Sequence, residues 1–324
     1  MSGHVTVGVD GSSASMAAVR WAADDASRRR AGLRLVHVTE PWVYMQPPAM
    51  PSGVEESLAE ASRALLARAA ELARERVPGL EAETVSRLGD VRTELLRQAR
   101  DAETLVVGRR GHGGFMELVL GSVSMGVAGH AACPVIVVPH AEDAPEEPEE
   151  SFEEHGEMVV GQDGAPESEP ALRYAFEEAA RRGCRLRAVY AWEESVFLPM
   201  FASYTPDLER LYDLGQRAAR EQLLPWEEKY PQVEVVESMV RAHPIEALSR
   251  ASSRADLVVV GSRGRGALGS AILGSVGHGV LHHARCPVAV VRVCPASQDD
   301  ASQQVAASQD AASPGGGRKE GQGT

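Results

Sequence analysis

Short β-branched apolar runs alternate along this chain with segments whose apolar residues recur every three or four positions. The run "HVTVGV" precedes a stretch in which Ala18, Trp21, Ala22 and Ala26 share one helical face, and "LRLVHV" follows it. After a loop holding Pro41, Pro47, Pro48 and Pro51 comes a longer helical segment that aligns Leu58, Ala61, Leu65, Ala69 and Leu72. "AETVSRL" reads as a strand, a short helix starts from Asp90, "TLVVG" reads as a buried strand, a last helix starts near Ser122, and "PVIVV" closes the unit. Strands separated by helices pair in parallel, with helices on both faces of the sheet. Right-handed crossovers then give an open, twisted sheet. Any ligand site belongs at the carboxyl ends of its strands, where the strand order reverses.

The plan occurs twice. "VGVDGS" returns as "VGQDGA", "LVVGRRGHGG" as "VVVGSRGRGA", and "GSVSMGVAGHAACPVIVV" as "GSVGHGVLHHARCPVAVV". Asp10 and Asp163, Gly108 and Gly261, Gly121 and Gly274, and Cys133 and Cys286 all lie 153 residues apart. Ala171, Tyr174, Ala175 and Ala179 repeat the first helical face. Matching "RRRAGLRLVHV" to the shorter "RRGCRLRAV" predicts that the register slips by two between the anchors and recovers before the glycine loop. The acidic, proline-punctuated run "AEDAPEEPEESFEEHGE" lies between the copies and reads as a solvated linker. The expected layout is a first domain over 1–140, a linker over 141–156, a second domain over 157–294, and a tail over 295–324. That tail is rich in Ser, Gln, Ala and Gly without apolar period, and is expected to be disordered.

Composition narrows the partners. A chain of 324 residues that is 44% hydrophobic can bury two sizeable cores, and a net charge of -13 argues against nonspecific binding to nucleic acid. No apolar run approaches the ~20 residues of a membrane helix, and no basic or apolar leader precedes "HVTVGVDG", so no membrane partner is expected. Four cysteines without a CxxC pair fit a reducing compartment, and a cytoplasmic protein is the expectation.

The candidate chemistry lies at the carboxyl edge. Asp10 and Asp163 end the first strand of their halves, and Gly108 and Gly261 end the fourth. Gly108, Gly111 and Gly121, with Gly261, Gly264 and Gly274, can leave backbone N–H groups open to a phosphate. Ser122 and Ser275 open helices, where the hydroxyl can cap or can donate to an anion. Arg109, Arg110 and His112, with Arg263 and Arg265, place positive charge in the same loops. A turn before a packed helix is the plainer reading of one such loop, but two intact copies favour phosphate binding; Asp10 can cap the first helix, contact a ligand, or do both. The spacing of His112, His130, His278, His282 and His283 does not recur between the halves, which suits surface histidines better than a metal site, and Cys133 and Cys286 read as small buried hydrophobes. "GRGALG" matches GxGxxG, but its first-half counterpart "GHGGFM" does not, and neither loop carries a Walker lysine.

The pattern G-x2-G-x9-G-[ST] is complete at Gly108, Gly111, Gly121 and Ser122 and again at Gly261, Gly264, Gly274 and Ser275. With the "VxVDGS" start and the "CPVxVV" end, each half resembles a universal stress protein domain, and the chain resembles a tandem member of that family. The resemblance implies two α/β domains, each an open five-stranded parallel sheet of order 3-2-1-4-5 of the adenine-nucleotide alpha-hydrolase type. It implies ATP between first strand and loop, with Mg or Mn bridging the phosphates. Asp10 and Asp163 would lie against adenine or ribose, backbone near Val38 and Val189 would meet the adenine edge, and the glycines and serines would hold the phosphates. Gln162 and Ala165 depart from Val9 and Ser12, making the second site less typical. The final strands of two such domains commonly pair, which here would give an intramolecular pseudo-dimer, with a homodimer beyond it. The leading function is a nucleotide-dependent stress-response or signalling module; a slow ATPase, or a scaffold whose glycine loops serve only packing, are the alternatives.

Overall fold

The computed structural model describes residues 3–40, 54–111, 120–139, 155–193, 205–263 and 273–292. The linker from 141 to 154, the tail from 295, Pro41, Pro47, Pro48 and Pro51, His112, Gly264, Arg265 and the rest of "GRGALG" lie outside the described residues.

The first half runs β1 (His4–Gly8), α1 (Ser13–Arg29), β2 (Gly32–Thr39), α2 (Val54–Arg76), β3 (Ala82–Leu88), α3 (Val91–Gln98), β4 (Thr104–Gly108), α4 (Ser122–His130) and β5 (Val135–Val138). The second repeats it as β6 (Glu157–Gln162), α5 (Glu169–Arg182), β7 (Arg185–Ala191), α6 (Thr205–Lys229), β8 (Val235–Val240), α7 (Pro244–Ala251), β9 (Leu257–Gly261), α8 (Ser275–His283) and β10 (Val288–Val291). Within each half the strands are parallel in the expected 3-2-1-4-5 order. The two sheets are continuous, however, as one ten-stranded sheet of order β3-β2-β1-β4-β5-β10-β9-β6-β7-β8. Its seam is antiparallel, with Val137 opposite Val288 and Val135 opposite Val290. Both seam strands are short, wholly apolar and buried, and pairing them removes an exposed edge from each half.

Local sequence explains the elements. Ser12 caps α1 by accepting the Ser15 N–H at 3.1 Å, and Asp90 caps α3 by accepting the Thr93 N–H at 2.8 Å. Both α1 and α5 stop at a left-handed residue, Arg30 and Gly183, the second without strain because glycine tolerates φ +65°. The predicted faces of α1 and α5 are buried as expected. On α2 the expected Ala69 is buried and Leu65 and Leu72 pack against the core, while Ala61 is exposed and Ser62, Leu66, Ala70 and Ala73 also turn inward. Two cores result. One lies under α1, α2, α5 and α6, the other under α3, α4, α7 and α8, and both run across the seam. No helix among the described residues is long and apolar enough to cross a membrane.

On the first face the halves meet through charge. Asp25 and Arg29 of α1 face Glu178 and Arg182 of α5, each 153 residues on; both acids are buried and both arginine side chains are largely covered. Arg29 bonds Asp25 at 2.7 Å and also the Glu178 carboxylate, while Arg182 reaches Glu178 at 3.4 Å and Asp25 at 3.3 Å. Trp21 and Tyr174, another such pair, cover the ring: Arg182 sits 5.3 Å from the Trp21 centroid and Arg29 5.9 Å from that of Tyr174.

Candidate functional site

In the first half the chain leaves β1 at Asp10, turns, and enters α1. Asp10 is exposed, and its Oδ1 accepts the Ser12 N–H at 2.9 Å and the Ser12 hydroxyl at 2.6 Å, which fixes the carboxylate over the turn. β4 ends alongside. A Cβ on Gly108 would stand 2.7 Å from the Ala14 carbonyl carbon, so β4 approaches the start of α1 as only glycine allows. A Cβ on Gly111 would overlap Asp10 Oδ2. The structure thus brings Asp10, Gly108 and Gly111 together at the carboxyl edge of β1 and β4, the neighbouring strands where the order reverses. Gly121 closes the loop by donating its N–H to the Arg109 carbonyl at 2.9 Å, and it is the N-cap of α4. Ser122 is therefore the first helical residue rather than the cap. No side chain caps α4, and its first amides are presented at the same edge.

The second half repeats this frame with one local change. Gly274 caps α8 and donates to the Ser262 carbonyl at 2.9 Å, and Ser275 is again the first helical residue without a side-chain cap. Asp163 Oδ1 accepts the Ala165 N–H at 3.0 Å and the Ser168 hydroxyl at 2.6 Å. Because Ala165 cannot cap as Ser12 does, and Pro166 follows it, a 3-10 turn over Pro166–Ser168 precedes α5. The approach to β9 is looser: a Cβ on Gly261 would stand 3.1 Å from the Arg263 carbonyl oxygen and 3.9 Å from that of Glu167. Gln162, in the place of Val9, buries an amide whose oxygen and nitrogen both lack a hydrogen-bond partner.

Three expectations change. The offset of 153 holds without a slip: Val36 is in register with Gly8 and Val189 with Gly161. Val189 therefore corresponds to Val36. Its side chain is buried and its backbone lies inside the sheet between Gly161 and Ser238, so the counterpart of Val38 is Ala191. Val38 itself lies past the last β1–β2 register pair, at the edge of the turn, where His37 Nδ1 is 2.7 Å from the Val9 carbonyl oxygen. Arg109 does not turn its charge to the loop; it is buried, and its guanidinium donates to the Ala284 carbonyl across the seam. Nor do Gly108, Gly111, Gly121, Gly261 or Gly274 use a positive φ; Gly108 and Gly111 serve close approach, whereas a Cβ on Gly121 or Gly274 would meet only ordinary contacts at 3.4 and 3.6 Å. Positive φ falls instead on Gly11 and Gly164, at +89° and +73°, the glycines directly after the two aspartates. The repeated Asp-Gly dipeptide was the available signal for them.

Among the described residues no group of three or more His, Cys, Asp or Glu is placed to hold a metal. Cys133 and Cys286 are buried, and burial pushes the Cys286 thiol up to about 12.

The sequence matches the family model described as the universal stress protein family twice, over residues 1–139 and 155–292. It is 39% identical over 305 residues to universal stress protein Rv2005c of Mycobacterium tuberculosis, covering 89% of this chain and 96% of that one. Universal stress protein Rv2623 of the same organism is 36% identical over 304 residues, with the same coverage. A crystal structure of a universal stress protein from Archaeoglobus fulgidus superposes with a TM-score of 0.62 at 20% identity, covering 89% of this chain and 96% of that one, which supports the fold.

Proposed function

The chain belongs to the universal stress protein family, and from that premise we propose that each half binds ATP at the carboxyl edge of its parallel strands, as a cytoplasmic stress-response or signalling module. The observation that carries the reading is the contact of Gly111 with Asp10, beside a helix whose amides are opened by glycine instead of being closed by a side-chain cap. Glycine at 111 lets the loop come this close to the carboxylate, and the uncapped α4 amides beside it supply a site for an anion.

In the first half Gly108, Gly111, Gly121 and Ser122 would hold the phosphates, Asp10 the ribose or adenine, and backbone at Val38 the adenine edge. In the second half Gly261, Gly264, Gly274, Ser275, Asp163 and Ala191 would take those places. A Mg or Mn ion would draw its ligands chiefly from the phosphates and water, because the described residues offer no cage for it. The proposed output is occupancy: bound nucleotide favours one conformation or partner set, by as much as its affinity differs between the two.

Purified protein is denatured and its supernatant chromatographed for nucleotide, and ATP is titrated calorimetrically into wild type, Gly111→Val and Asp10→Asn. Both variants should lose at least about tenfold in first-site affinity, corresponding to about 1.4 kcal/mol, with far-UV dichroism unchanged. Wild-type affinity in both folded variants, or no ATP binding by wild type, overturns the reading.

A further inference from the structure

One surface breaks the symmetry of the halves. Beside α7 and the end of α8 lies an open groove of ≈ 950 Å3, lined by His243, Ser249, Arg250, Arg254, His283 and Arg285 among others. Glu246 pairs with Arg250 at 2.9 Å, and Glu193 lies 3.7 Å from His243. Among the described residues no carboxylate pairs with Arg254 or Arg285, both exposed, and the buried Ser249 hydroxyl has no hydrogen-bond partner. The corresponding positions of the first half carry Asp90 for His243, Asp101 for Arg254 and Ala132 for Arg285. Beside the starts of β9 and β10 the second half therefore carries two exposed arginines where the first carries an aspartate and an alanine, although Arg97 and Arg100 stand in the first-half places of Arg250 and Ser253, in a chain of net charge -13.

We propose that this groove is the docking site for the chain's own acidic segment, residues 141–154. The ends of that segment are fixed on either side of it. β5 finishes next to the start of β10, where Val137 opposes Val288. The chain returns at His155 and Gly156, whose N–H groups Asp256 accepts at 2.6 and 3.0 Å, just before β6. From β5 to β6 the chain must cross the starts of β10 and β9, which are where Arg285 and Arg254 stand. Three strand spacings amount to only about 14 Å, which roughly five extended residues would span, so the segment has ample length to lie over the groove.

Charge selects the occupant. The segment carries Glu142, Asp143, Glu146, Glu147, Glu149, Glu150, Glu153 and Glu154, and no Lys or Arg. Arg254 and Arg285 can each take a carboxylate with two parallel N–H donors, and the Ser249 hydroxyl can donate to a third. Single exposed pairs of this kind are weak, but tethering both ends holds the carboxylates at high effective concentration.

The test compares the full chain with Arg254→Asp/Arg285→Ala, which installs the first-half residues and leaves the segment unchanged. Cleavage of the segment by a glutamate-specific protease is followed at low and high salt. The double variant should be cut roughly threefold to tenfold faster at low salt, the difference vanishing when salt screens the pairs. Equal low-salt rates overturn the proposal. A labelled peptide of residues 141–154 is also titrated into a chain whose eight acidic residues there are changed to Asn or Gln. It should bind, and should not when Arg254→Asp/Arg285→Ala is added. Inorganic phosphate binding equally well to wild type and to the neutralised chain would make the occupant a free anion and likewise overturn it.

Discussion

Replacing Arg29 by Met should destabilise the protein by about 3–5 kcal/mol, the cost of removing one partner from a buried ion pair. The magnitude follows from what is left behind. Asp25 and Glu178 are 0% and 1% exposed, and Arg29 serves both, with Glu103 a further 3.6 Å contact at the rim. Without it, two buried carboxylates share Arg182, helped by Arg181 and by the Thr104 hydroxyl 3.4 Å from Asp25. Burial pulls the Arg29 guanidinium down, but Tyr174, Asp25 and Glu178 outweigh it and hold it above its ordinary value, so it remains charged wherever the protein is folded. Arg29→Met/Glu178→Leu instead removes one charge of each sign and leaves Asp25 with Arg182. It should recover about 2 kcal/mol or more of the single variant's loss, because well-packed apolar residues replace a buried pair at little net cost. Urea unfolding at neutral pH, read by tryptophan fluorescence and by far-UV dichroism, gives both numbers where the probes coincide. Trp21 reports on the ring directly, since Arg182 lies over its indole. A double variant no more stable than Arg29→Met would refute the argument, because the charges would then not be coupled across the seam.

Other residues give sharper local tests. Burial pushes the Glu157 carboxyl up, but Arg187 and Arg185 prevail and hold it below 4.5. Below that pH the unfolded chain takes the proton first, so stability falls as pH falls, and Glu157→Gln should flatten the acid limb of a stability–pH curve; parallel limbs would contradict this. Burial, with His278, His283 and Arg109 adding to it, lowers His282, so its imidazole should titrate below 6.5 by NMR and its contribution to stability should be lost as pH drops through that value. Ser12→Ala should cost about 1 kcal/mol through the lost cap, whereas Ala165→Ser should not add as much, because Pro166 already sets the turn; equal and opposite changes in midpoint would count against this. The Cys286 thiol, pushed up to about 12 by burial, should resist alkylation in the native state and react only on unfolding, while rapid native labelling would show that the strand start opens.

Repetition made most of the fold legible. Alternating strand and helix periods gave the element order, and the fixed offset between the halves gave the second half for the price of the first. The α2 stripe missed at Ala61 because alanine is neutral as an apolar marker: Ala61 faces solvent, while Ser62 turns inward and lies 3.3 Å from the Thr39 hydroxyl. The register slip came from aligning string lengths, whereas the matched pairs Arg30 with Gly183 and Val36 with Val189 keep the offset. Gly108 and Gly111 were legible as candidates because glycine there is demanded by close approach to a neighbouring backbone and a carboxylate, which fixes spacing in sequence as well as in space.

Contacts across the seam follow a different logic. The charge ring had a sequence trace, since an acid and an arginine four residues apart recur at the same offset in both halves; on a helix, however, that pattern is also the commonest solvent-exposed pair. Only the antiparallel pairing of β5 with β10, which turns α1 toward α5, converts two ordinary surface pairs into one buried ring. Arg109 carried no trace at all, because its mate is Ser262 and its acceptor is a backbone carbonyl 175 residues away. A feature that each half could use alone is thus written twice and can be read from the repeat. A feature that needs both halves is either disguised as something ordinary, as the ring is, or written once, as Arg109 and the pair Arg254 and Arg285 are, and becomes visible only when the halves are set against each other.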